Sequence, residues 1–181
     1  HSPTDMGANM AGNCTIDDDA CREASCQEII RRYYQALCDV RMGLGDESSV
    51  RKLELLMNQA NVSTANRPVA AAALRRADET GAPAAAIELP DGTIVTGKTT
   101  ALLGSSAAAL LTALKTLAGL PHDLHVLPQL IIEPIQKLKI EGLGNSNPRL
   151  HTDEVLIALS ISAGANPVAE LALAQLPRLS G

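Results

Sequence analysis

At 181 residues the chain is long enough for one large domain or two small ones. Aromatic residues make up 1% of it, with no Phe and no Trp, so its core must come from Ala, Leu, Ile and Val, and it has no aromatic platform for stacking bases. A net charge of −5 argues against a broad nucleic-acid surface, and no apolar run is long enough to span a bilayer.

Residues 1–16 are rich in Gly, Asn and Met and read as an irregular lead-in. The chain opens His1-Ser2-Pro3-Thr4-Asp5 with no initiator Met and no visible signal peptide, the pattern of a fragment, a processed form or a trimmed chain. Asp17-Asp18-Asp19 then places negative charge where a helix N-terminus favours it. Cys26, Ile30, Tyr33, Leu37 and Val40 recur at steps of four and three, which predicts a long amphipathic helix with a narrow apolar seam, ending near Gly43 and Gly45. Arg31 and Arg32 fall outside the seam and are expected to face solvent or a partner domain. Cys14, Cys21, Cys26 and Cys38 fit neither a C-x-x-C redox pair nor a zinc knuckle. They are expected to be buried, reduced thiols, which fits a cytoplasmic protein.

A second helix is predicted from Asp46, with Val50, Leu53, Met57 and Ala60 on one face. A third starts at Arg67-Pro68-Val69, with Pro in the first turn where its missing N–H costs nothing, and ends at Gly81. Residues 17–81 thus read as a helical subdomain. Its seam is too long and narrow for one small core, so a homo-oligomer, a dimer through these helices, is expected.

After Gly81 the character changes. Gly92-Thr93-Ile94-Val95-Thr96-Gly97-Lys98-Thr99 matches the phosphate-loop pattern G-x-x-x-x-G-K-[ST]. A phosphate loop must curl its backbone around the anion. Thr93 to Thr96 are β-branched and prefer an extended strand, and Pro90-Asp91-Gly92 just before them is a turn signal. The stretch therefore predicts a hairpin with arms at about 84–89 and 93–97, not a nucleotide site. Ser105-Ser106 should cap an apolar helix through Leu117. Leu124-His125-Val126-Leu127 reads as a short strand between proline-bounded turns. Ile131 to Ile140 stays ambiguous, because Pro134 weakens either assignment. A polar loop covers Gly142 to Pro148, Thr152 should cap a helix from Val155 to Ala163 that is apolar nearly all round and so buried, and Asn166-Pro167 opens a last helix. Residues 82–181 thus read as a small α/β layer.

The loop Asn145-Ser146-Asn147-Pro148-Arg149-Leu150-His151 is the most polar stretch feeding a helix. Amides, a guanidinium and an imidazole beside a helix N-terminus can hold an anion. The plainer alternative is that Asn147 and Arg149 shape the loop and His151 packs near the helix cap. Lys98, Thr99, Asn147, Arg149 and His151 are the candidate residues for an anionic small-molecule ligand. His122 and His125 form H-x-x-H and His151 and Glu154 form H-x-x-E, but no cluster has the ligand count that zinc needs, so no metal is expected. No G-x-S-x-G elbow exists, and the cysteines have no obvious His partner.

Several strings together resemble a bacterial family, the uncharacterised protein family 0371, which carries a domain of unknown function, number 1846. They are Ser2-Pro3-Thr4-Asp5-Met6-Gly7, Asn9-Met10, Gln27-Glu28-Ile29-Ile30-Arg31-Arg32-Tyr33-Tyr34, Glu88-Leu89-Pro90-Asp91-Gly92, Thr96-Gly97-Lys98-Thr99 and Asn147-Pro148-Arg149-Leu150-His151. The resemblance covers nearly the whole chain and names a relative without naming a reaction. It implies members two to three times longer, with an absent upstream part that carries a Gly-rich Gly-Lys stretch more like a genuine phosphate loop. This chain would then be the C-terminal portion, and that upstream part a partner for it.

The order of elements in 82–181 is also similar to cytidine-deaminase-like α/β domains. Those need His or Cys and Glu at the start of the helix after the hairpin, plus a later P-C-x-x-C. Here that helix start reads Ser105-Ser106-Ala107-Ala108, and no Cys follows Cys38. The expected fold is therefore α/β: an N-terminal helical subdomain, then a small deaminase-like layer without zinc ligands. The expected function is a ligand-binding and assembly region of a nucleotide- or phosphate-dependent enzyme. The alternative is a non-catalytic structural or oligomerisation domain.

Overall fold

A computed structural model describes residues 18–179. The irregular lead-in, and with it Cys14, lies outside the described residues. The chain divides into two units, one ending at Arg67 and the other beginning at Pro68.

The first unit is a helical hairpin. Helix α1 (Asp18–Arg41) carries Asp18 and Asp19 in its first turn and Arg41 in its last, both favourable to the helix dipole. Its end is closed by Gly43 at φ 72°, a left-handed position that suits glycine. Helix α2 (Glu47–Gln59) is capped by Asp46, whose carboxylate accepts from the Ser48 amide at 3.1 Å. Of the expected seam, Ile30 is fully buried, Tyr33 is half-buried with its hydroxyl 3.2 Å from Glu54, and Leu37 is exposed. The buried-thiol expectation is corrected: Cys21 and Cys26 are half-buried and Cys38 is exposed, all with free thiols. Two helices shield only one face of α1, and Cys38 lies off it. Arg31 and Arg32 point outward and share Glu28, at 2.7 and 2.8 Å.

The second unit begins with α3 (Pro68–Thr80), which has Pro as its first residue and is closed by Gly81 at φ 66°. The sequence reading grouped α3 with the other helices, but its contacts run to the hairpin that follows. That hairpin is β1 (Ala84–Glu88) and β2 (Ile94–Lys98), antiparallel, with Ala84 opposite Lys98 and Glu88 opposite Ile94. The turn falls at Pro90-Asp91-Gly92 as expected: Gly92 sits at φ 83°, and the Asp91 carboxylate accepts from the Thr93 amide at 2.9 Å. The phosphate-loop match is therefore a strand, and no helix starts at Lys98.

Strand alternation explains the layering. Val95 and Gly97 are buried on the face that meets α4 (Ser105–Leu117), and α3 covers the other face. Gly97 is required by that contact: a Cβ there would lie 2.6 Å from the Ala109 Cα. Glycine in the middle of the pattern thus serves strand–helix packing, not phosphate. Ala107, Ala109 and Ala113 of α4 are buried, so small residues on both sides let the layers approach closely.

Four expectations about the rest of this unit need correction. Ser105-Ser106 does not cap α4. Gly104 is the N-cap, fixed because its N–H donates to the Leu150 carbonyl at 3.0 Å while its carbonyl accepts from Ala108 at 2.9 Å. The strand expected at 124–127 does not form. Val126 and Leu127 are buried by packing, and the turn before them is tied down by Lys115, which donates to the His122 carbonyl, and by Leu124 N–H on Pro121. Among the described residues no strand edge is paired with this segment, so its β-propensity has nothing to act on. Thr152 does not cap the next helix, α6 (Thr152–Ala163): its N-cap is His151. Nor is α6 buried all round, since Val155, Ala158 and Leu159 face the core while Ile157 and Ile161 are 61% and 76% exposed.

The ambiguous stretch is helical. Helix α5 (Gln129–Lys137) contains Pro134, and the buried Ile132 with Ile131 and Ile135 against the core supplies a stripe that outweighs the missing N–H. It continues as one widened π turn, Leu138–Gly142. Helix α7 (Pro167–Leu173), capped by the Asn166 side chain, packs on α6. The main core joins Leu114, Leu150, Val155, Leu159, Ala169 and Ala172. The whole is mixed α/β and mostly helical, with one two-stranded antiparallel sheet among the described residues.

Candidate functional site

One cleft in the second unit gathers most of the candidate residues. Thr99, Asn147, Arg149 and His151 line it together with Gly104 to Ala107 and Thr152, around a volume of about 420 Å³. It lies where α4 and α6 both begin. Leu103 and Leu150 form a short parallel bridge, with Leu150 N–H on the Leu102 carbonyl at 2.9 Å, and this bridge brings the two helix starts side by side.

Each side chain has a definable post. Thr99 follows β2 and is held by its N–H on the Pro83 carbonyl at 2.8 Å. Thr100 then caps the following turn, its hydroxyl accepting from Leu102 and Leu103 at 3.2 and 3.1 Å. The Arg149 Nε donates to the Thr100 carbonyl at 2.7 Å, which ties the polar loop to the hairpin's end. Both terminal guanidinium nitrogens keep no protein partner among the described residues. Asn147 accepts from the Arg149 amide through Oδ1 at 3.1 Å and sets Nδ2 3.2 Å from His151 Nε2. Because Oδ1 is already the acceptor, it is the Asn147 amide Nδ2 that is turned toward the imidazole.

The α4 amides of Ser105, Ser106 and Ala107 precede the first intrahelical bond, made by Ala108, and have no acceptor among the described residues. With the helix dipole behind them they form a positive end on the cleft wall.

Lys98 is not brought to the cleft. Alternation along β2 places it with Ile94 and Thr96, on the face away from α4, while Thr99 reaches the lining.

Sequence reasoning missed the residue that stiffens this loop from behind. Lys139, in the π turn, is buried with its side chain 4% exposed; its Nζ donates to the Arg149 carbonyl at 2.6 Å and to Glu154 at 2.7 Å. The same Glu154 oxygen accepts the His151 amide at 2.8 Å. Burial, the largest influence on Glu154, pushes its carboxyl up, but the Lys139 ammonium and the His151 N–H together hold it below the usual carboxylate range. Glu154 at the third position of α6 was the available signal, being the capping-box position; nothing in the sequence paired it with Lys139. No group of His, Cys, Asp or Glu among the described residues is arranged to hold a metal ion. No described helix is long and apolar enough to cross a membrane.

Comparison with known proteins places the chain. The C-terminal model of the domain of unknown function DUF1846 matches residues 65–181, and the N-terminal model of the same name matches residues 1–61. The boundary between the matches falls close to the boundary between the two structural units. A UPF0371 protein of Corynebacterium urealyticum is 56% identical over 180 residues, 99% of this chain and 36% of the relative. One from Corynebacterium efficiens is 56% identical and one from Streptococcus thermophilus 50% identical, each over the same shares. The chain thus spans about a third of the length of these curated relatives. On this evidence of sequence the chain belongs to the DUF1846 family, whose bacterial relatives bear the name UPF0371 protein.

Proposed function

We propose that the cleft at the start of α4 and α6 binds a small anion, the phosphoryl group of a phosphometabolite or nucleotide. The observation that carries this reading is the convergence of Thr99, Asn147, Arg149 and His151 on the unpartnered first-turn amides of α4. Arg149 uses Nε on the protein, which leaves its terminal nitrogens for two-point contact with an oxyanion. The cleft volume lies in the range of small-molecule sites. The region then serves as the ligand-binding and assembly part of a longer phosphate- or nucleotide-dependent enzyme in the cytoplasm. Any topology shared with deaminase-like domains carries a different function, since Ser105, Ser106 and Ala107 stand where zinc ligands would be.

Thermal unfolding with inorganic phosphate, pyrophosphate and a nucleotide panel tests this. The reading expects a transition that rises with ligand concentration. In Arg149→Ala that rise is lost while the unliganded transition barely moves, and Arg149→Lys keeps part of it. If Arg149→Ala unfolds the protein, or stabilisation persists without the guanidinium, Arg149 is a loop clamp and the ligand reading falls.

A second reading concerns the first unit. Leu37, Met42, Leu44 and Leu55 are exposed there, which favours assembly through its helices, as a dimer or against the rest of the longer protein. A monodisperse monomer by light scattering at high concentration, for this chain and for a full-length relative, removes it.

A further inference from the structure

Among the described residues both long edges of the hairpin are open. Leu89 N–H donates to the Thr93 carbonyl and Thr99 N–H to the Pro83 carbonyl, each at 2.8 Å, which sets the parity of the ladder. The odd-numbered pairs face one another through hydrogen bonds, and the residues between them turn N–H and C=O outward. On β2 the outward residues are Ile94, Thr96 and Lys98, and among the described residues these groups have no partner. The β1 edge repeats the pattern at Ala84, Ala86 and Glu88.

What lies beside β2 sets it apart. A groove of about 480 Å³ runs between Ile94 and Thr96 and the helix α3, which contributes Pro68, Ala71, Ala72, Arg75, Arg76 and one carboxylate, Glu79, so that arginines outnumber acids along it by two to one. Among the described residues the buried Arg76 Nε has no hydrogen-bond partner; the side chain as a whole is 41% exposed, and its terminal nitrogen reaches Glu79 only at 3.7 Å. Arg75 is exposed on the same groove and has no ion pair among the described residues. A guanidinium N–H left buried and unpaired marks a place where an acceptor is wanted. Small alanines on the floor leave room for a backbone to lie close.

We propose that this groove docks an extended acidic segment of another protein, which adds a third strand alongside Ile94–Lys98. Main-chain hydrogen bonds to the open edge supply affinity that does not depend on sequence. Carboxylates at alternate positions of the incoming strand, all on the α3 side, meet Arg75 and Arg76 and supply selectivity. A second copy of β2 is the poorer occupant. Antiparallel pairing about Thr96 would bring the partner's Lys98 beside Ile94, on the side that carries Arg75 and Arg76 against the one carboxylate of Glu79, and residues 93–99 bring no carboxylate of their own.

Amide hydrogen exchange read by NMR tests the proposal, with three synthetic octapeptides as probes: alternating Thr–Glu, alternating Thr–Lys and the Thr–Glu sequence N-methylated at every residue. The expected result is that the Thr–Glu peptide slows exchange at Ile94, Thr96 and Lys98 by about tenfold or more, an open edge having become a paired one. The Thr–Lys peptide should do far less. The N-methylated peptide, which has no N–H to donate to β2, should leave those amides unchanged. Replacing both Arg75→Ala and Arg76→Ala should erase the preference for Glu over Lys, and Arg75→Lys with Arg76→Lys should restore part of it. Several results would overturn the proposal. They are no slowing with any peptide, equal slowing by the Glu and Lys peptides, or slowing by the N-methylated peptide. Protection that grows with protein concentration alone would assign the edge to a second copy instead.

Discussion

The two units answer the lack of aromatic residues in different ways. From Pro68 onward the chain closes its core with small residues at close contacts: Gly97 against Ala108 and Ala109, and Ala107, Ala113, Ala169 and Ala172 fully covered. Among the described residues before it, only Ile30 and Met57 are buried, while Leu37, Met42, Leu44 and Leu55 stay open. Two helices that pack only on each other can cover one stripe between them and no more. Close approach of backbones replaces bulk in a layered α/β unit; a helical hairpin has no equivalent device. Precision of fit should therefore dominate mutational effects after residue 68 and matter little before it.

The largest effect should come from Gly97→Ala. The new Cβ meets the helix backbone, which cannot step aside, so the loss should exceed about 4 kcal/mol, the range reserved for core overpacking and backbone clash. Gly92→Ala is the matched control. Its position has open space but a positive φ, and it should cost only about 1–2 kcal/mol. Chemical denaturation of both variants decides the point: similar losses would mean that close packing is not what holds the unit.

Next comes Lys139→Met. It leaves the Glu154 carboxylate without its cation, and the expected loss is about 2–3 kcal/mol, less than for a fully buried pair because Glu154 is 30% exposed. The double variant Lys139→Met with Glu154→Gln should regain part of it.

The acid limb sharpens the same contrast. Glu154 titrates below its ordinary value in the folded protein, so its contribution is complete above the usual carboxylate range and fades as pH falls through the lowered value. Glu154→Gln should flatten stability over that window. In the first unit Glu28, bonded by Arg31 and Arg32, is held down to about 2. Its sign is the same, with stability fading between the usual carboxylate range and that value. The cluster is half-exposed and screened, so Glu28→Gln should cost under about 1 kcal/mol and the loss should shrink in high salt. The smallest effect belongs to Leu37→Gln, about 0.5 kcal/mol or less in a protein whose exposed seam stays uncovered.

These contrasts also mark what could be read from the chain by itself. The helices α1, α2 and α3 and the hairpin were legible because period, caps and turn residues agree locally, as at Asp46, Pro68 and Asp91-Gly92. The segment at 124–127 was not, because a strand needs a partner edge and only the tertiary structure says whether one is in reach. The caps at Ser105 and Thr152 were each misplaced by one residue, since the long-range Leu103–Leu150 bridge fixes where both helices begin. That bridge also brings Thr99 to Asn147, Arg149 and His151, an encounter that no local pattern encodes. Strand parity keeps Lys98 from joining them.

The most direct measurement is an NMR titration of the chain with inorganic phosphate. The account predicts saturable shifts centred on the amides of Ser105, Ser106 and Ala107 and on the Arg149 side chain, with smaller ones at Thr99 and His151, all suppressed by Arg149→Ala. Shifts that never saturate, or that fall on α1 and α2 and spare the start of α4, would contradict it.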